Sequence, residues 1–167
     1  MIRWIILLLG IVAFTACERS RTPERHLIPA DYEGVVIVIY GQEGFPELPM
    51  KEGYRVFEYP QDGILITSSE PGFGWASDDI VDVLPDGSFR RISSGEASDR
   101  REHFAAFGSQ EAVGEPTIDY GFKVIGSMDY WSGIDSVEYD RKKEDAIRKL
   151  RSLRTQNSEQ GTGGNAS

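Results

Sequence analysis

The spacing of apolar residues changes several times along the chain, and each change predicts a different element. Behind Arg3, Trp4 to Ala16 runs 13 residues without a charge. That is short of the roughly 18–20 residues needed to span a bilayer as a helix, and it is the length of a signal-peptide core. Gly34 to Tyr40 (GVVIVIY) is a continuous β-branched run, the pattern of a strand covered on both faces or central in a sheet. Tyr54–Tyr59 and Ile64–Ser68 predict two short strands joined by Pro60-Gln61-Asp62-Gly63. Asp79–Leu84 and Ser88–Ile92 repeat the arrangement across Pro85-Asp86-Gly87. In both turns proline presets φ and Asp-Gly accepts the positive φ of a tight reversal, so two hairpins are expected. In Thr117–Ile125 the alternation puts Ile118, Tyr120, Phe122 and Val124 on one face. Thr117, Asp119 and Lys123 fall on the other, which predicts a half-buried strand with one wet side. From about Asp135 the period becomes helical. Tyr139, Ala146, Leu150 and Leu153 share a narrow face with Ile147 at its edge, and Glu144–Arg148 and Asp145–Lys149 stand at i,i+4.

These elements predict a mainly β (α+β) fold, an antiparallel, sandwich-like arrangement of about 6–7 strands with one C-terminal amphipathic helix. The chain divides into a leader (1–16), a polar tether (17–26), a β-rich domain with its helix (27–154) and a Gly/Ser/Asn/Gln-rich tail (155–167) expected to be disordered. Ser93 to Glu102 is polar and reads as a loop.

Composition narrows the chemistry. The 167 residues carry a formal charge of −9, which disfavours nucleic acid as a partner. The charge is uneven. Residues 18–137 hold 10 basic and 22 acidic side chains, and residues 138–154 hold 7 and 4, so an acidic β body precedes a mildly basic helix. With one cysteine, Cys17, there is no intramolecular disulfide and no Cys-based zinc site. Two histidines, His26 and His103, leave little imidazole for acid–base work.

The 13-residue apolar run ends in Phe14-Thr15-Ala16-Cys17 and gives way to the charged Glu18-Arg19-Ser20-Arg21. This resembles the lipobox of bacterial lipoproteins, with Phe14 where Leu is usual. The resemblance implies a diacylglyceryl group on the Cys17 sulfur and cleavage before it. It makes the membrane a partner through that anchor and places the protein in the cell envelope, on the periplasmic or cell-surface side. The acyl chains would do the holding, since an acidic body is repelled by an anionic surface.

A second likeness is carried by Leu27-Ile28-Pro29-Ala30-Asp31-Tyr32-Glu33-Gly34, then Gly44-Phe45-Pro46-Glu47-Leu48-Pro49, Gly53-Tyr54-Arg55-Val56, and Pro60-Gln61-Asp62-Gly63-Ile64-Leu65-Ile66-Thr67-Ser68-Ser69. Over residues 27–92 the chain resembles a family of small bacterial lipoproteins of unknown function, many from Bacteroidetes. The resemblance implies an envelope location and a β-rich domain, and it supplies no catalytic residue. Physically, Pro29 and Gly34 fix the approach to the first strand, Tyr32 lays its ring over the sheet edge, and Pro46 and Pro49 stiffen a loop.

No constellation for catalysis stands out, and no metal or cofactor is expected. Asp78, Asp79, Asp82 and Asp86 lack the EF-hand spacing and read as solvated strand ends and a turn. Ser93-Ser94-Gly95 is no nucleophile elbow, and Gly72-Phe73-Gly74 is no phosphate loop. Aromatic residues in Gly/Pro-bracketed loops are the candidate binding residues: Phe73 and Trp75, and Tyr130 and Trp131. Stacking on a sugar or anchoring an envelope protein is the functional role open to them, and plugging the end of the β core is the commoner one. The expected function is a non-enzymatic, lipid-anchored binding or interaction domain. The alternative is a small envelope glycan hydrolase using a carboxylate pair.

Overall fold

The computed structural model describes residues 20–92, 101–111 and 117–162, apart from the side chains of Arg101, His103 and residues 158–162. Within them run β1 (Glu24–Pro29), β2 (Gly34–Ile39), β3 (Met50–Lys51), β4 (Tyr54–Glu58), β5 (Ile64–Ile66), β6 (Asp79–Val83), β7 (Phe89–Arg91), β8 (Arg101–Gln110) and β9 (Ile118–Gly126). Two helices follow, α1 (Met128–Gly133) and α2 (Ser136–Thr162). The strands make two mixed sheets, in the orders β3-β4-β1-β6-β7 and β5-β2-β9-β8. The expected mainly β fold with a C-terminal helix is present, with nine strands among the described residues.

Three apolar clusters show how the layers stack. Alternate residues of β2, Val36 and Val38, meet Ile28, Phe57, Tyr59, Ile80 and Ile125 between the sheets. The opposite set, Ile37 and Ile39, packs with Ile64, Ile66, Ile118 and the α2 residues Ala146, Ile147 and Leu150. Every residue of β2 is buried, as its unbroken β-branched run demands. Each large side chain so buried contributes roughly 1.5–3 kcal/mol. On the outer face of the five-stranded sheet, Leu27, Val56 and Val81 form a smaller cluster.

Of the two expected hairpins, one forms. β6 and β7 pair antiparallel across the Pro85–Gly87 turn. The other does not: β4 lies in the first sheet between β3 and β1, and β5 lies in the second, parallel to β2. Both edges of β4 are taken, so the Pro60–Gly63 turn carries the chain from one sheet to the other. Gly63 sits at φ +65°, and a Cβ there would overlap the Tyr32 hydroxyl. Tyr32 donates to the Val35 carbonyl (2.8 Å) and accepts from Lys142 of α2 (2.9 Å). The Tyr32 and Pro60–Gly63 motifs therefore meet at one joint beneath the helix. Parallel pairing of β1 with both β4 and β6 is a further departure from the expected antiparallel pattern.

The boundaries move as well. Glu24 to His26, read as tether, are the first half of β1, the central strand of its sheet. The helix runs on to Thr162, through much of the stretch expected to be disordered. Arg101–Gln110, part of it read as loop, is a ten-residue edge strand. The expected Asp145–Lys149 pair is replaced: Arg148 bonds to Asp145, and Lys149 reaches Asp62 in the inter-sheet turn (2.6 Å). Tertiary partners outcompete the local ones because docking brings a fixed carboxylate to the helix.

Candidate functional site: a pocket between the sheets

β9 explains where the site lies. Its apolar face, with Ile118, Tyr120 and Phe122, turns to the helix side, where Phe122 packs on Tyr139 (5.3 Å between ring centroids). The face expected to be wet divides: Thr117 is exposed and Asp119 bonds to Ser109 at the surface, while Gly121 and Lys123 line a cavity between the sheets. Glu24 and His26 of β1, Tyr40, Tyr59, Phe73 and Phe107 complete its principal walls. The cavity is about 220 Å³, room for a ligand of several heavy atoms and smaller than pockets that take drug-sized molecules.

A buried charge cluster forms its floor. Along β1, Glu24, His26 and Ile28 fall on one face, so two polar residues enter the interior ahead of the apolar one. The Glu24 carboxylate accepts from Arg55 of β4, and Arg21 lies 3.5 Å away. Arg21 also bonds to Asp78, whose other oxygen accepts from the Glu24 backbone N–H (3.0 Å). Burial works to raise the Glu24 pKa, but the His26 imidazole facing it at 3.5 Å and the hydrogen bond from Arg55 outweigh it and bring the pKa down to about 2. Gly72 closes this corner. A Cβ there would stand 2.7 Å from Arg55 Nη2, so a larger residue would push the guanidinium, which also reaches the Glu70 carbonyl (2.7 Å), out of place.

His26 is 2% exposed and stacks on Phe57 (4.5 Å, 22°). Its Nδ1 lies 3.3 Å from the Tyr59 hydroxyl. Burial pushes the Tyr59 pKa well up, so that hydroxyl keeps its proton, and the Glu24 carboxylate facing Nε2 favours the tautomer in which Nδ1 accepts from it. Nε2 then carries the imidazole hydrogen. It lies 3.5 Å from Glu24 Oε2 but is buried without a hydrogen-bond partner. Desolvation pushes the His26 pKa down against the pull of Glu24, so the ring is neutral at pH 7. On the opposite wall Lys123 pairs with Glu102 (2.8 Å). Phe73 and Phe107 meet edge to face at 5.2 Å.

Glu24, His26 and Asp78 each offer one atom within 4.8 Å of the others, a set of metal-ligand type that sequence spacing did not reveal. Both carboxylates are already bound by guanidiniums, however, and a cation would have to displace two positive charges to enter. The trio is a salt-bridge cluster with an imidazole at its edge.

The sequence candidates are scattered. Phe73 and Trp75 are 64% and 81% exposed, so neither plugs the core, and of the two Phe73 lines the pocket. Tyr130 and Trp131 are half-buried on α1, away from it, with the Tyr130 hydroxyl donating to Glu138. Cys17 lies outside the described residues. Asp78, Asp79, Asp82 and Asp86 do not converge. Asp79 pairs with Arg25 and Arg91, Asp86 caps its turn through Ser88, and Asp82, expected to be solvated, is 1% exposed and held by Arg90. Sequence reasoning missed Glu24, His26, Arg55 and Lys123. The signal available was the i,i+2 spacing of Glu24, His26 and Ile28, readable only if the strand begins before the apolar run.

Comparison with known proteins agrees with the architecture. The solved structure described as "Putative Lipoprotein from Bacillus anthracis" superposes with a TM-score of 0.63 at 22% identity, over 78% of this chain and 95% of that one. No curated protein matches the sequence. A family model spans residues 20–125, from the bridge at Ser20 to the end of β9, and by that match the chain belongs to DUF6843, a family of unknown function.

Proposed function

We propose that this protein is lipid-anchored in the bacterial cell envelope through Cys17 and binds a small ligand in the inter-sheet pocket without transforming it. The anchor is supported by the unique cysteine behind a short apolar leader. The fold likeness to a protein described as a lipoprotein is in keeping with it. Among the described residues no helix is long and apolar enough to cross a membrane.

The observation that carries the binding role is the state of the pocket's polar groups. Glu24 is neutralised by Arg55, Asp78 by Arg21 and Lys123 by Glu102. An acid–base catalyst must exchange a proton near neutral pH, and Glu24 titrates far below it. A glycan hydrolase needs one carboxyl raised toward neutrality, whereas Glu24 is displaced the other way. Two buried polar groups described make no hydrogen bond, Arg55 Nε and His26 Nε2, and of the two residues His26 lines the pocket, beside walls of Tyr40, Phe73 and Phe107, with Glu24 3.5 Å from its Nε2. Such a site favours a small molecule with a flat or apolar body and one acceptor oxygen. An aromatic ring bearing a single carbonyl or hydroxyl oxygen meets that description.

Two measurements test the reading. The mass of protein extracted from membranes should include a diacylglyceryl group that Cys17→Ala abolishes; an unmodified mass for the wild type overturns the anchor. A panel of sugars and aromatic acids, followed by protein-observed NMR, should shift resonances of pocket residues. Ala105→Phe, which fills the cavity from an exposed position on β8, should remove those shifts. Shifts that survive the substitution place the site elsewhere.

A further inference from the structure

The chain enters the described fold at Ser20, and its first partner there is the Phe73–Trp75 loop. Ser20 forms a parallel bridge with Trp75. Arg21 donates its backbone N–H to the Trp75 carbonyl (3.1 Å) and its Nε to the Gly74 carbonyl (3.2 Å). This loop is therefore stitched to the point from which the chain leads back toward Cys17. Three residue steps separate Ser20 from Cys17, at most about 11 Å of extended chain. Trp75 and Phe73 are the two most exposed aromatic side chains described, and they stand on one short loop. Phe73 also packs on Phe107 at the rim of the inter-sheet pocket.

We propose that Phe73 and Trp75 form a membrane-docking tip that seats the rim of the inter-sheet pocket against the bilayer surface. The inference rests on the anchor at Cys17. The occupant is a lipid surface because a Cys17-linked lipid holds Ser20 within about 11 Å of the attachment point, and the loop lies one strand spacing, about 5 Å, from Ser20. Tryptophan is also the side chain that best tolerates the half-wet, half-apolar zone at that depth. Charge does not draw the body there, since residues 18–137 carry 12 more acidic than basic groups. The rings make the contact, and it survives added salt. Docking fixes which way the pocket faces. Its rim looks at the membrane, so its ligands arrive along or out of the lipid surface.

The chain has three tryptophans, Trp4 in the leader, Trp75 and Trp131. A Trp131→Phe variant, processed and purified from membranes, keeps Trp75 as its only tryptophan. In vesicles of phosphatidylcholine and phosphatidylglycerol brominated at carbons 6 and 7, its fluorescence should fall at least twofold against unbrominated vesicles and shift to the blue. Phe73→Ser in the same background should weaken the quenching while the circular-dichroism spectrum shows the fold retained. Protein that carries the lipid mass and floats with the vesicles, yet is not quenched, overturns docking and leaves the anchor standing. If the mass lacks lipid, the anchor fails on its own. Coupling the full chain, with Trp4→Phe added, through its only thiol to a maleimide lipid then restores the tether. The same quenching decides docking there.

Discussion

Where β1 reaches Ile28 it joins Val36, Phe57, Ile80 and Ile125 in an apolar layer between the sheets. Four residues earlier, at Glu24, the same face of the same strand meets Arg21, Arg55 and Asp78 beside a cavity. The two ends of one strand are thus held by different physics. The Ile28 end is non-directional burial, tolerant of shape-conserving change. The Glu24 end is a set of charge-assisted bonds in which each group is needed by the next, and removing one strands another in a place without water. The cavity opens at the second end, where polar satisfaction and not close packing sets the spacing of the sheets.

The comparison can be broken most severely at its apolar end. Ile28→Ala removes a fully buried side chain and should cost about 2–5 kcal/mol, measured as a loss of unfolding free energy in denaturant. At the polar end Arg55→Met should cost about 3 kcal/mol by leaving Glu24 without its guanidinium. Adding Glu24→Gln to it should recover part of that loss. Two independent losses that simply add would mean the pair is not coupled.

Of the two ends of β1, acid should act on the polar one. His26 has a folded-state pKa below its usual 6.5, so the unfolded chain takes up the proton first. Stability is full above about pH 6.5 and is lost as pH falls from there toward the depressed value. Glu24 adds a second window, stability present above 4.5 and lost as pH falls toward about 2. Denaturation midpoints against pH should fall in both windows. His26→Phe should flatten the upper slope and Glu24→Gln the lower. The smallest effect belongs to the helix clamp. Lys149→Met breaks a half-exposed pair with Asp62 and should cost at most about 1 kcal/mol, seen as a small shift in midpoint.

Much of the apolar end was legible in the residues. The buried β2, the Asp79–Ile92 hairpin and the α2 face with Ala146, Leu150 and Leu153 follow from periodicity, because side-chain burial repeats with the geometry of each element. The site was not legible. Glu24 and His26 look like tether residues because a charged residue predicts solvent unless its partner is known, and Arg55 lies 31 positions away. Of the polar face of β9, Thr117 lies in solvent as expected, whereas Lys123 turns into the pocket. Alternation separates two faces without saying which one looks inward.

Local sequence chose the periods, the turns, the single cysteine and the uneven charge, since each depends on residues within a few positions of one another. Tertiary contact chose which strands became neighbours, and it made β1 central and parallel to both β4 and β6. The same long-range pairing neutralised the buried charges and brought Trp75 against the start of the described chain. The proposed membrane roles of a lone cysteine and an exposed tryptophan, 58 positions apart in the sequence, are linked because Ser20 lies against Trp75. Hydrogen bonds between distant segments carry that information, and no window of the sequence contains both partners.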